Sequence, residues 1–232
     1  MAPFTEPTTG YWQTLLSAEA ATTLATAPPW RFGYPARLPD GRVLMLPIRA
    51  LASAPHHAVA SLLVNQASLE VVDELASLLA AALRPLAPEV LVGLPTLGLT
   101  LAAAVARALG QARYVPLGTS RKFWYDEALS ADVVSITSPG QAKRIYLDPH
   151  QQALMQGRRV ALIDDAISSG STAPPLWSLL ERAGATVVAY GVAMHQGQRW
   201  RTALGAARAA QVVGVFDSPL LQASEQGWVL RA

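Results

Sequence analysis

The sequence predicts an α/β fold: a parallel sheet flanked by helices on both faces, with a small subdomain at the N-terminus. Three observations carry this. From Glu89 onward, short apolar runs alternate with helical patterns, the spacing of repeated β-α-β units. Val160–Ile163 has no polar position, as expected of a strand buried on both faces rather than one. Thr186–Ala193 is strongly β-branched and follows a helical stretch closed by Gly184.

The elements follow in order. A helix is expected around Tyr11–Leu24, ended by the Pro28-Pro29 turn. Arg31–Leu38 and Val43–Ile48 flank Pro39-Asp40-Gly41, which reads as a hairpin because Asp-Gly suits the tight turn. His56-His57 reads as the polar start of a helix. Leu69, Val72, Ala76, Leu79 and Leu83 recur at helical spacing until Pro85 and Pro88 stop them. Val90–Val92 is a short buried strand, Leu99–Leu109 a helix ended by Gly110, and Tyr114–Leu117 another strand. A long polar segment runs to about Ala142 before a strand at Arg144–Leu147. A helix from Pro174 to Ala183 tolerates its prolines, since first-turn N–H groups have no helical partner. Val212–Phe216 is the last strand. The division expected is 1–60 for an N-terminal segment, 61–217 for the core and 218–232 for a tail.

Composition narrows the function. The 232 residues are 51% hydrophobic and 15% charged, with net charge +2, so a sizeable core is affordable. The most apolar windows, Leu75–Leu83 and Leu97–Ala106, are far shorter than the roughly 20 residues a membrane span needs. No basic stretch precedes an apolar run near the N-terminus, so no secretory signal is expected and a cytoplasmic protein is. Absence of cysteine excludes disulfides, thiolate metal sites and cysteine nucleophiles. No Lys/Arg block suggests a nucleic-acid surface. All but two of the 18 basic residues are arginine, leaving Lys122 and Lys143 conspicuous.

The chemistry concentrates in Val160–Thr172. Asp164 and Asp165 end the apolar strand, at the edge where open α/β sheets bind ligands. Ala166 and Ile167 lead into Ser168, Ser169, Gly170, Ser171 and Thr172. Small side chains let backbone N–H groups approach a phosphate, and the following helix adds its positive end. Carboxylates for hydroxyls or Mg²⁺ beside a monophosphate nest suit a sugar phosphate. A second glycine-containing loop, Gly93–Gly98, joins another strand to a helix at the same edge.

The ordered pattern of hydrophobic run, two acids, two apolar positions and Ser/Gly/Thr loop resembles the phosphoribosyl-pyrophosphate (PRPP) motif of type I phosphoribosyltransferases. The resemblance covers roughly Arg42 to Met194 and is closest to the adenine/xanthine branch. It implies a PRPP-binding set of Asp164 through Thr172, together with Thr96, Leu97 and Gly98 as a pyrophosphate loop. Asp164 and Asp165 would also hold Mg²⁺. Arg121-Lys122 resembles the basic pair of that branch that faces the pyrophosphate, and Ser135-Ile136-Thr137 resembles the Ser-x-Thr of the xanthine-type loop. Asp165, Lys122, Arg121 and Glu127 are thus the catalytic candidates, with Asp126 beside them. Closure of Thr119–Thr137, sealed by Phe123-Trp124-Tyr125, would exclude water. In hypoxanthine-guanine enzymes a third acid stands where this chain has Ser168, which argues against that branch. The implied reaction is Mg²⁺-dependent transfer of phosphoribosyl from PRPP to a nucleobase, a purine, by a homodimer. The resemblance further implies that residues 1–60 form an N-terminal extension and hood segment, in which Trp30, Phe32 and Tyr34 with the hairpin, joined by Phe216, would cover the base. The alternative is a PRPP-binding regulator without catalysis.

Overall fold

A computed structural model describes residues 6–24, 27–134 and 142–231. The N-terminal region builds a mixed-length antiparallel sheet. Its strands are β1 (Leu15–Leu16), β2 (Gly33–Arg37), β3 (Val43–Leu51) and β4 (Ala54–Ala60). The expected hairpin is β2–β3, with Arg37 opposite Val43 and Gly41 at φ +85°, a conformation glycine adopts without cost. Arg42 ties the turn to the following helix by reaching Asp40 at 2.7 Å and Glu74 at 2.6 Å.

No helix forms over Tyr11–Leu24. That stretch holds β1 and a single 3₁₀ turn, Ala20–Thr23, whose Thr22 and Thr23 hydroxyls donate back to the Glu19 and Ala20 carbonyls. Burial of Trp12, with φ at +61° and its indole N–H donating to the Ser61 carbonyl, overrides the helical pattern. His56 and His57 lie on β4, not at a helix start. Their strand is fixed by pairing across the chain: His57 faces Gln222.

Next come α1 (Leu69–Leu83), β5 (Val90–Gly93), α2 (Leu97–Ala108) and β6 (Val115–Pro116). Ser68 starts α1 by accepting from the Val71 N–H at 3.2 Å. The polar segment after β6 is not a loop throughout. It contains β7 (Ser130–Val134), antiparallel to β8 (Ala142–Tyr146), and the hairpin attaches to the sheet edge through Gly118 and Tyr146. Ser135-Ile136-Thr137 lie outside the described residues.

The core is completed by β9 (Arg159–Ile167), α3 (Ala173–Arg182), β10 (Thr186–Gln196), α4 (Arg199–Ala209, interrupted at Gly205) and β11 (Val212–Ser218). Five strands form one parallel sheet in the order β11-β10-β9-β5-β6. Alternation sorts each strand between two cores. Ala161 and Ile163 pack with α1 and α2, whereas Val160 and Leu162 pack with α3 and α4. The predicted doubly covered α/β sheet is therefore the observed one.

Residues after 217 do not trail away. They form β12 (Leu220–Ala223) and β13 (Trp228–Leu230), and β12 pairs with β4. The N-terminal sheet thus takes strands from both ends of the chain, with Trp228 and Trp30 bridged in a small core of its own. No described helix is long and apolar enough to cross a membrane.

Candidate active site

Val160 through Ile163 are fully buried, and the β9 ladder continues past them, pairing Asp164 with Val192 and Ala166 with Met194 on β10. Both acids therefore sit on a held strand end. The Asp164 carboxylate accepts from the Tyr190 hydroxyl at 3.0 Å and from the Asp165 N–H at 3.0 Å. Burial pushes Asp164 well above the usual carboxylate range, and the neighbouring Asp165 charge pushes it further. Burial raises Asp165 as well. The Tyr190 phenol is held up by the same burial and by the charge of Asp164.

The Ser168–Thr172 loop turns from β9 into α3. Gly170 is at φ +79°, and a Cβ there would lie 3.0 Å from the Trp200 Cα, so backbone and neighbour together require glycine. Ser169 and Ser171 hydroxyls are 2.8 Å apart, and the Ser171 N–H donates to Ser169 Oγ. Thr172 stands at the start of α3, whose first turn holds two prolines.

On the other side of β9, the Leu94 N–H donates to the Ile163 carbonyl at 3.0 Å, and the Pro95–Thr96 bond is cis. Gly98 then crosses the end of β9. A Cβ at Gly98 would sit 2.5 Å from the Ile163 oxygen and 2.8 Å from the Asp164 Cα. Only the missing side chain lets the first turn of α2 lie against the acidic strand end.

These two loops line one cleft of about 540 Å³. Asp164 through Gly170, Thr172, Thr96 and Leu97 all border it; Gly98 is underneath, and Ser171 does not border it. The cleft is also bordered by Val59 on β4, by Ser61, Leu62 and Leu63 just after it, and by Met194 and Gln196 at the end of β10 beside the acidic strand. Trp30, Phe32, Tyr34 and Phe216 do not border it. Trp30 is buried with Trp228, and Tyr34 and Phe216 border a separate outer depression.

The expected basic pair is placed elsewhere. Arg121, Lys122 and Glu127 do not border the cleft. Glu127 lies between two guanidinium groups, 3.1 Å from Arg121 Nε and 2.8 Å from Arg144 Nη1, and Arg144 also reaches Asp132 at 3.4 Å. Asp126 caps a 3₁₀ turn by accepting from the Ala128 N–H. Phe123 is 96% exposed and packs edge-on against Trp124, whose indole N–H donates to Asp148, so in this conformation the aromatic triplet seals nothing.

Two cations that border the cleft were not assigned a role from the sequence: Arg49 on β3 and Lys143 on β8. Arg49 Nε donates to Ser61 Oγ at 2.9 Å. Tyr190 was also missed. Its signal was a lone polar tip in an apolar strand, which becomes informative only when the pairing of β9 with β10 is known. Tyr190→Phe is expected to remove one buried hydrogen bond, lowering stability by about 1 kcal/mol. It also withdraws a donor from the Asp164 carboxylate, so the carboxyl pKa rises further; a thermal scan and a pH titration of ligand binding check both.

Residues 58–208 match the family model described as "Phosphoribosyl transferase domain". This chain belongs to that family. Among phosphoribosyltransferase-domain relatives, it is 33% identical over 108 residues to an adenine phosphoribosyltransferase of a Synechococcus strain, covering 47% of this chain and 59% of that one. It is 35% identical over 111 residues to a xanthine phosphoribosyltransferase of Chloroflexus aurantiacus, covering 48% and 51%. The chain thus spans between half and three fifths of these relatives' lengths. The crystal structure of the adenine phosphoribosyltransferase from Rhodothermus marinus superposes with a TM-score of 0.53 at 25% identity, covering 65% of this chain and 81% of that one. The phosphoribosyltransferase-like fold and the adenine/xanthine-like branch expected from the motifs agree with these matches.

Proposed function

We propose that the protein transfers 5-phosphoribosyl from PRPP to a ring nitrogen of a purine, releasing pyrophosphate, as a nucleotide-salvage enzyme of the cytoplasm that works as a homodimer. One observation carries the reading: a carboxylate pair, a hydroxyl-rich loop at a helix start and a second glycine-supported loop all converge on one cleft. The adenine and xanthine enzymes among its relatives support a purine acceptor.

Each part has a task that suits its chemistry. The Ser168–Thr172 hydroxyls and backbone amides at the start of α3 would grip the 5′-phosphate. Asp164 and Asp165 would accept from the ribose hydroxyls, fixing the sugar's orientation. The Thr96–Gly98 turn presents N–H groups of α2's first turn to the pyrophosphate. At C1′ the bond to the purine nitrogen forms as the C1′–O bond breaks. The electron pair leaves on pyrophosphate, and the purine N–H proton passes to water. Because positive charge grows on the sugar, positioning and electrostatics supply most of the rate. The base would rest against Val59, Leu62 and Met194, with Ser61, Arg49 and Gln196 as its polar neighbours.

The donor set fits Mg²⁺. Among the described residues no group of three or more His, Cys, Asp or Glu side chains is placed to hold a metal. Two adjacent carboxylates beside a phosphate cradle match an ion that keeps waters and shares substrate oxygens. When bound, Mg²⁺ would neutralise charge on the diphosphate.

The test is incubation with PRPP, Mg²⁺ and a panel of purines, with pyrophosphate release as the readout. Release with at least one purine is expected. Tight PRPP binding with no release from any base would replace the transferase by a PRPP-binding regulator, and indifference to PRPP would end both.

A further inference from the structure

A pyrophosphate leaving group needs positive charge, and the pair resembling the family's basic residues does not border the cleft. The β7–β8 hairpin supplies another. Residues on β8 alternate between faces, and pairing with β7 fixes which face is which. Lys143 lies opposite Val133, and both border the cleft together with Ile145, two residues further along. Arg144, between them, points the other way into the exposed network with Asp132, Glu127 and Arg121. The hairpin therefore sorts its cations: Lys143 inward, Arg144 and its ion-paired neighbours outward.

Resting on the phosphoribosyl-transfer reading above, we propose that Lys143 is a catalytic residue that contacts the pyrophosphate of PRPP and stabilises the charge it gains on departure. The rest of the site favours the diphosphate over the 5′-phosphate as its target. The monophosphate loop already offers the hydroxyls of Ser168, Ser169 and Thr172 at a helix start. The Thr96–Leu97 turn offers one hydroxyl and backbone N–H groups to a group of higher charge. Thr119 also borders the cleft; its neighbour Gly118 bridges Tyr146 on the Lys143 strand, and it follows β6, the strand paired with β5, from which the Thr96 turn arises. The hairpin thus stands over the diphosphate end of the cleft. An ammonium on a flexible stem adapts to the diphosphate both before and after bond breakage.

Direct binding tests this without needing the acceptor base. Inorganic pyrophosphate and ribose 5-phosphate, each with Mg²⁺, are titrated calorimetrically into the wild type, Lys143→Met, Lys143→Arg and the Arg121→Ala/Lys122→Ala double variant. Lys143→Met is expected to weaken pyrophosphate about 10- to 100-fold, the loss of a charge-assisted contact, while ribose 5-phosphate changes less than about twofold. Lys143→Arg recovers most of the affinity, and the double variant binds both ligands as the wild type does. Pyrophosphate binding unaffected by Lys143→Met overturns the proposal. So does an equal loss for both ligands, which would make Lys143 a prop of the cleft, or a pyrophosphate loss confined to the double variant. The transfer reading fails separately, by absence of pyrophosphate release from PRPP with any purine.

Discussion

Asp164→Asn is expected to lower PRPP-dependent pyrophosphate release about a thousandfold while making the ligand-free protein more stable near neutral pH. The first effect follows from the proposed role: a carboxylate that would face both sugar and Mg²⁺ is removed, a contact of about 4 kcal/mol in a buried site. The second follows from the direction of the pKa shift. Burial and Asp165 raise the folded pKa of Asp164 above the ordinary value of about 4. The unfolded chain therefore releases this proton at lower pH than the folded one does. Between those two values unfolding liberates a proton, so the stabilising contribution is complete in acid and is lost as pH rises. Asparagine keeps the shape, has an oxygen for the Asp165 N–H and carries no charge to bury. Its NH₂ faces Tyr190, whose hydroxyl accepts as readily as it donates. A gain of about 1 kcal/mol, or about 2–4 °C in Tm for a chain of this size, is expected at pH 8. The variant's Tm profile from pH 5 to 8 should be flatter than the wild type's. A variant that is less stable at pH 8 and keeps the wild-type slope contradicts this account. A buried charge at this strand end thus costs stability in the ligand-free protein.

Gly98→Ala carries the second large effect. Its methyl group would meet the Ile163 carbonyl at 2.5 Å and the Asp164 Cα at 2.8 Å, both backbone atoms of the central strand. Neither yields by rotating a side chain, so the first turn of α2 must lift. Overpacking against a fixed backbone costs about 1–3 kcal/mol. The same lift displaces the Thr96–Gly98 turn by a fraction of its own hydrogen-bond length, and misplacement of that order costs about 100-fold in activity. Gly118→Ala is the matched control, since a Cβ there meets nothing within 4 Å and its φ is not positive. Circular-dichroism melts and pyrophosphate release should separate the two variants clearly. Equal behaviour would show that α2 is not held against β9 as described.

Much of this site was legible because its signals are local. The apolar run before Asp164, the paired acids and the small-residue loop are contiguous, and contiguity alone places them at a strand end. The β2–β3 hairpin was legible for the same reason, through Asp40-Gly41. What failed was non-local. Tyr11–Leu24 looks helical until Trp12 is buried beneath Ser61, and His56-His57 looks like a turn until Gln222 pairs with His57. The strands β12 and β13 carry no period of their own; β12 is held by pairing with β4 and β13 by pairing with β12.

The sequence by itself determined the two glycine-containing loops, the acid pair and their order along an α/β sheet, since short apolar runs and glycine turns encode these within a few residues. Tertiary structure alone decided which charges border the cleft. Arg121-Lys122 and Lys143-Arg144 are equally basic dipeptides in the chain, yet only Lys143 borders the site. A strand offers its side chains to two faces in alternation, and which face is which is settled only when its register with a distant partner is fixed.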